Sequence, residues 1–364
     1  MKICFLAGAN SIHSYRWVKY FSDKSHEIYW ISLAPLTAGS DIENIHFYEI
    51  PQFQLKIFSL LNAIIQTRKL VEKIKPDILH AHYAGIYGLI GALSGIHPFI
   101  VTAWGSDILM AGRAKIKKPF VKYVLKKTDL ITCDAEHMRK AIEKLGKDFE
   151  KITIIYFGID TQIFAPGDKD EALLKKLDTL NSPVIISLRT LEPIYDIETL
   201  IRSVPLVLGS IPGAKFVIVG TGSREKVIKE LAQRLSISDK IRFVGKIPNE
   251  EMCRYLRTAD IYVSTSLSDG GIAASTAEAM ACGLPVVITD TGENKKWVKD
   301  GEGGFLIPIK SHTILAEKII YLLQNSALRM CFGDINRKVI EKRNNYYIEM
   351  GKMDKIYKEI LRKQ

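Results

Sequence analysis

Along the chain, short apolar runs alternate with longer stretches whose apolar residues recur at helical spacing. The runs predict buried strands and the stretches amphipathic helices, so their alternation predicts βα units feeding parallel sheets. In the first half strands are expected at 2–7, 27–33, 45–50, 78–81, 99–102, 130–133 and 152–156. A second series is expected at 184–188, 215–219, 241–244, 261–264 and 285–289. Between them, 158–178 holds Phe164-Ala165-Pro166-Gly167 and a run of charges, which reads as an interdomain linker. At the end of the chain Tyr346, Met350, Met353, Tyr357 and Ile360 mark an apolar stripe on one helix. At 364 residues the chain exceeds one ordinary core, so two doubly wound α/β domains are expected, at 1–165 and 166–345, with a helix at 346–364.

Composition adjusts this picture in three places. The five cysteines lie far apart without a C-x-x-C spacing, which argues against a disulfide framework or zinc site and for a cytoplasmic setting. The apolar start, Ile3 to Ala9, is short for a signal peptide and reads as a first strand. The segment Tyr83 to Trp104 carries no charged residue, but Gly85, Gly88, Gly91, Gly95 and His97-Pro98 break it, so a packed helix, a turn and a strand are expected rather than a membrane span. The formal charge of +11 favours anionic partners. No known nucleic-acid-binding motif or aromatic-rich basic ribbon accompanies it, so nucleic acid is not expected.

The richest chemistry lies between Ser264 and Asp290. A buried strand opens into a polar loop with Gly270-Gly271, followed by a helix at about 273–281, a turn at Gly283–Pro285 and another buried strand. Ligands collect outside the carboxyl ends of strands in open α/β sheets. Paired glycines before a helix N-terminus let backbone N–H groups converge on one anion. Glu278, inside the helix, can accept hydrogen bonds from vicinal hydroxyls. A solvated helix with an ordinary glycine turn is the plainer alternative.

The stretch Glu278-Ala279-Met280-Ala281-Cys282-Gly283-Leu284-Pro285-Val286-Val287 closely resembles the signature of the retaining family 4 glycosyltransferases. That resemblance implies the GT-B fold: α/β, two Rossmann-like doubly wound domains facing a central cleft, with the C-terminal helix returning to the N-terminal domain. It implies that Glu278 binds the ribose hydroxyls of a nucleotide-sugar donor, and that Gly270, Gly271, Ile272 and Ala273 offer amides to its diphosphate and sugar. The turn at Gly220-Thr221-Gly222 and the segment Gly245-Lys246 resemble the family's nucleotide-contacting turns. Arg189 matches its diphosphate-binding arginine, whose bidentate fork suits a leaving phosphate. The sequence also departs from the pattern. The first acidic residue, Asp269, stands one position early. The lysine expected after Arg189 is absent from Leu191–Asp196, so either another cation such as Lys246 or Arg224 substitutes or leaving-group stabilisation is weaker.

In the first half Asn10 and Ser11 follow the first strand, His82 closes another, and Trp104 and Asp107 follow the next. Many relatives carry a histidine where Trp104 stands. The resemblance makes Asn10, Ser11 and Trp104 acceptor-side residues, and His82, Asp107, Arg189 and Asp269 candidates for catalysis. For Asp107 the alternative is helix capping, and for His82 a structural role. Arg113, Lys115, Lys117, Lys118, Lys122, Lys126 and Lys127 crowd one amphipathic segment with Phe120, Val121, Val124 and Leu125 on one face. The segment Arg113–Lys127 therefore suggests an anionic membrane surface, each cation near it being worth about 1 kcal/mol.

The expected activity is transfer of a sugar from a nucleotide diphosphate-sugar to a glycan or lipid-linked acceptor hydroxyl, with retention of configuration, in polysaccharide, glycolipid or cell-surface glycan assembly. No metal or other cofactor is expected, because the only Asp-x-Asp, Asp168-Lys169-Asp170, lies away from the strand ends. The location expected is cytoplasmic, with a peripheral position on the inner membrane face. A non-catalytic sugar-nucleotide-binding subunit and a sugar-nucleotide epimerase on the same fold are the alternatives.

Overall fold

The apolar runs become two all-parallel sheets, one in each of two units. The computed structural model describes residues 1–37, 42, 44–109 and 117–363. One unit comprises Met1–Tyr156 with Ile348–Gln364, the other Phe157–Tyr347.

In the first unit the strands are β1 (Lys2–Leu6), β2 (Glu27–Ser32), β3 (Ile45–Glu49), β4 (Ile78–His82), β5 (Phe99–Thr102), β6 (Leu130–Cys133) and β7 (Ile152–Ile154). They are ordered β3-β2-β1-β4-β5-β6-β7. Every residue of β4 and β5 is buried, as expected for a sheet covered on both faces. The order reverses between β1 and β4, the position at which open sheets gather ligands.

The second unit repeats the arrangement with β8 (Val184–Leu188), β9 (Lys215–Val219), β10 (Ile241–Gly245), β11 (Ile261–Ser264), β12 (Val286–Thr289), β13 (Lys299–Asp300) and β14 (Gly303–Ile307). Their order is β10-β9-β8-β11-β12-β14-β13, reversing between β8 and β11. The strand β14 was not expected from the sequence. Its Gly303-Gly304 start resembles a turn, yet a Cβ at Gly304 would lie 2.1 Å from the Val286 carbonyl oxygen, so glycine permits the pairing with β12.

The linker expected at 158–178 is corrected. Ile159, Leu173, Leu174 and Leu177 are buried in the second core, and 171–176 is helical, its first turn closed by Asp170 accepting from the Leu173 amide at 2.9 Å. The chain divides at Tyr156/Phe157, nine residues before the expected boundary.

The C-terminal helix, Tyr346–Arg362, buries Met350, Met353 and Tyr357 completely. Tyr357 hydroxyl and His80 Nδ1 are hydrogen-bonded, and Glu349 accepts from the Tyr156 amide at 2.9 Å. From Ile348 onward the helix belongs to the first unit. The uncharged stretch 83–104 forms the helix Ile86–Ser94 and strand β5. Among the described residues no helix is long and apolar enough to cross a membrane.

Candidate functional site

In the second unit the sequence-predicted residues sit at the carboxyl ends of adjacent strands. Arg189 follows β8, Gly220 and Gly222 follow β9, Gly245 ends β10 with Lys246 next to it, and Asp269 to Ala273 follow β11. Gly220 donates its amide to the Gly245 carbonyl at 2.8 Å, tying the two turns together. A Cβ on Gly220, whose φ is 137°, would lie 2.4 Å from the Arg189 carbonyl oxygen. The glycine is thus needed for close approach to the segment that carries Arg189.

Arg189 joins the loops after β8 and β11. Its Nη2 donates to Ser266 Oγ at 2.8 Å and to Asp269 Oδ1 at 2.6 Å. Its guanidinium carbon lies 4.3 Å from the Tyr195 ring centre. Its buried Nε has no hydrogen-bond partner among the described residues. The side chains of Arg189 and Asp269 are 9% and 6% exposed. At such depth the pair is strongly coupled, and each member is expensive to leave alone.

Asp269 is held from a second side, where Asn294 Nδ2 lies 3.4 Å from Oδ2. A Cβ on Gly292 would be 1.7 Å from the Asp269 carbonyl oxygen, so the loop after β12 presses directly on the Asp269 loop. Ser266, Tyr195 and Asn294 were not foreseen. Tyr195 lies in the segment where a lysine was missing, the one signal that marked its neighbourhood.

The helix carrying Glu278 runs Ala274–Ala281 and has no side-chain cap at its N-terminus. The amides there are oriented for an anion. Ser275 Oγ lies 2.8 Å from the Tyr262 hydroxyl. Glu278 is half-buried and Gly270 exposed. Of the two cations proposed to replace the lysine, Arg224 is engaged by Glu198 at 2.8 Å, whereas Lys246 is exposed.

In the first unit, His82 is 2% exposed and ringed by Phe5, Trp17, His80 and Trp104, with ring centres 5.1–5.7 Å away. Neither ring nitrogen has a hydrogen-bond partner among the described residues. Burial, then the nearby His13, push its pKa down to about 3, so the imidazole is neutral. His13, also unforeseen, stacks on Trp104 at 4.9 Å. Tyr83, next to His82, has a φ of 83°, a conformation uncommon for a bulky residue. Its hydroxyl lies 3.0 Å from Ser106 Oγ. Asn10 is exposed and Ser11 half-buried at the end of β1.

Asp107 is occupied by its own loop. Its carboxylate accepts from the amides of Ala84 at 2.7 Å, Gly105 at 3.0 Å and Trp104 at 3.2 Å. Burial raises its pKa against the lowering effect of those amides. The arrangement is that of a brace for the loops after β4 and β5, the capping alternative in a wider form.

In the basic segment, Val121, Val124 and Leu125 of the helix Lys117–Lys127 are buried, so its apolar face serves the core. Arg113 and Lys115 lie outside the described residues.

Comparisons with known proteins bear on both units. A family described as "Glycosyl transferase 4-like" matches residues 2–135, and one described as "Glycosyl transferases group 1" matches residues 168–339. The chain is 23% identical over 354 residues to the N-acetyl-alpha-D-glucosaminyl L-malate synthase of Bacillus anthracis, covering 94% of this chain and 92% of that protein. It is 25% identical over 273 residues to a D-inositol 3-phosphate glycosyltransferase of Acidothermus cellulolyticus, covering 67% and 59% of the two. Among solved structures, a glycosyltransferase from Rickettsia africae ESF-5 superposes with a TM-score of 0.84 at 20% identity, over 100% of this chain and 99% of that one. The Anabaena protein HepE in complex with UDP-glucose gives 0.81 at 18% identity, over 99% and 100%. Those structural likenesses establish the GT-B fold.

Proposed function

We propose that this chain, whose two units match the glycosyltransferase models, is a family-4-like glycosyltransferase that transfers a sugar from a nucleoside diphosphate-sugar to an acceptor hydroxyl with retention of anomeric configuration. The observation that carries this reading is the placement of Arg189 and the uncapped helix of Glu278 at the carboxyl ends of β8 and β11, where the strand order reverses. A diphosphate there meets the guanidinium fork and the amides of 270–273. Glu278 takes the ribose hydroxyls. The binding of UDP-glucose by HepE supports a nucleotide-sugar donor.

In the transfer the bond between the anomeric carbon and the diphosphate oxygen breaks, and the acceptor oxygen bonds to that carbon from the same face. The acceptor proton passes to a leaving phosphate oxygen. Negative charge grows on the diphosphate, and Arg189 stabilises it there. The residues do this without a metal. Asp170 of the one Asp-x-Asp is taken up by the Leu173 amide and by Arg254 at 2.7 Å. The acceptor, a glycan or a lipid-linked sugar at the inner membrane face, belongs to the first unit, beside Asn10, Ser11, His82 and Trp104.

A second reading, a sugar-nucleotide-binding subunit without turnover, draws on the ion pair that occupies Arg189. Calorimetric titration with UDP, GDP, ADP and CMP addresses the shared premise. One of them binds saturably, and Glu278→Ala weakens it about tenfold or more, the loss of charge-assisted hydrogen bonds worth about 1.5–3 kcal/mol. Unchanged affinity in Glu278→Ala contradicts the assignment of that residue.

A further inference from the structure

The helix Lys56–Ile74 carries large apolar residues on a second face besides the one turned to the core. Its inward stripe is Ser59, Ala63, Thr67, Val71 and Ile74, small or polar over the first three positions. Leu60, Ile64 and Leu70 flank that stripe and pack against the core, but other large apolar side chains face water. Ile57 is 66% exposed, Phe58 57%, Leu61 50% and Ile65 53%, and the approach to the helix adds Phe53 at 54% and Leu55 at 62%. Spacings of four from Ile57 to Leu61 to Ile65 put these on one face. A contiguous apolar face of this kind marks an interaction surface.

The neighbouring charges say what covers it. Lys69 is exposed on the next turn, beside Arg68, which pairs with Glu72 at 2.9 Å. The helix Ile86–Ser94 packs against both Lys56–Ile74 and Lys117–Lys127, so the three helices share one side of the first sheet. Lys117–Lys127 contributes exposed Lys118, Lys122, Lys126 and Lys127, with Phe120 55% exposed among them. Apolar side chains flanked by cations suit an anionic bilayer. A second copy of the chain would bring like charges together, in a protein already carrying +11.

We propose that this side of the first unit, led by Phe53–Ile65, docks on an anionic lipid surface, with the basic helix Lys117–Lys127 supplying charge rather than the inserted face. The proposal deepens the reading of a lipid-linked acceptor and rests on it only for the biological purpose of docking. Binding itself is tested separately from donor chemistry.

The test is sedimentation of the full chain with vesicles of phosphatidylglycerol and phosphatidylcholine, against phosphatidylcholine alone. The wild type sediments with the anionic vesicles, and added salt weakens but does not abolish it. Phe58→Glu with Leu61→Glu lowers partitioning about tenfold or more, while nucleotide affinity and thermal midpoint stay as in the wild type. Because both positions are exposed, the variant keeps its core. Absence of sedimentation, or sedimentation unchanged in the variant, overturns the proposal. So does a wild-type dimer in ultracentrifugation that the variant converts to monomer, which would assign the face to a second copy. Loss of nucleotide binding in the wild type, with vesicle binding retained, would sink the donor reading and leave the docking face standing.

Discussion

Arg189 Nη2 and Asp269 Oδ1 stand 2.6 Å apart, with both side chains almost wholly removed from water. Eighty positions separate them in sequence, and β8 and β11, the strands they follow, are neighbours in the sheet. The ion pair therefore closes the point at which a diphosphate is expected. An arriving diphosphate must share or displace Asp269 on the guanidinium.

This makes opposite predictions for the two partners. Asp269→Asn removes a negative charge beside the diphosphate position and tightens binding of the bare nucleoside diphosphate, as calorimetry would read. Arg189→Ala strands a buried carboxylate and destabilises the second unit by about 3–5 kcal/mol, measured by urea unfolding. Weaker diphosphate binding in Asp269→Asn would show that the carboxylate aids the nucleotide rather than competing with it.

Gly220→Ala tests the support of the arginine. The added methyl meets the Arg189 carbonyl oxygen at 2.4 Å, and the backbone φ of 137° is strained for alanine. Donor affinity is expected to fall together with stability, the latter by about 1–3 kcal/mol. A variant with wild-type affinity would place the nucleotide away from this turn.

The two buried histidines set an acid limit on the first unit. Burial holds His80 well below its ordinary pKa and His82 at about 3, whereas both titrate near 6.5 when unfolded. The unfolded chain thus takes up protons below about pH 6.5 that the folded chain does not. Stability is complete above that pH and declines as pH falls below 6.5, for His82 by about 1.4 kcal/mol per pH unit until pH approaches 3, with His80 adding to the decline in the same direction. His82→Leu should flatten the decline by about one histidine's share while leaving nucleotide affinity unchanged. An unaltered slope in chemical denaturation across this range would contradict the assigned burial. Turnover lost in a stable His82→Leu protein would identify the neutral imidazole as part of the acceptor site.

Tyr357→Phe isolates the tie of the last helix. The hydroxyl is fully buried on His80, whose Nε2 in turn meets Thr102 Oγ1 at 2.8 Å. Removing it leaves His80 Nδ1 without that partner and costs about 1–3 kcal/mol, readable in urea. A neutral substitution would mean that the helix is held by its other ties, Met350, Met353 and the Glu349 bond to the Tyr156 amide.

Much of the fold could be read from the chain because its central strands are short, mostly apolar runs. Phe99–Thr102, Val184–Leu188 and Ile261–Ser264 occupy the positions that their composition predicts. The failures have local causes. Gly303-Gly304 hid a strand because the feature that permits its pairing is the one that suggests a turn. Pro166-Gly167 and nearby charges suggested a linker, while the apolar positions of Leu173, Leu174 and Leu177 pointed to the core. At the candidate site, individual residue types were legible but their partners were not. Nothing in the spacing joins Arg189 to Asp269, or Asp107 to the amide of Ala84. Those relations arise when parallel strands distant in sequence become neighbours. The exposed face of Lys56–Ile74 was hidden for a related reason: its apolar periodicity looks like that of a core-facing helix.

The most direct test of the central claim is release of nucleoside diphosphate from the sugar nucleotide that the chain binds, followed with and without acceptor, with the product's anomeric configuration read by proton coupling constants. The expected result is acceptor-dependent release, a product with the donor's configuration, and loss of both in Arg189→Ala under conditions where that variant remains folded. Tight donor binding with no acceptor-dependent release across glycan and lipid-linked acceptors, or an inverted product, would contradict it.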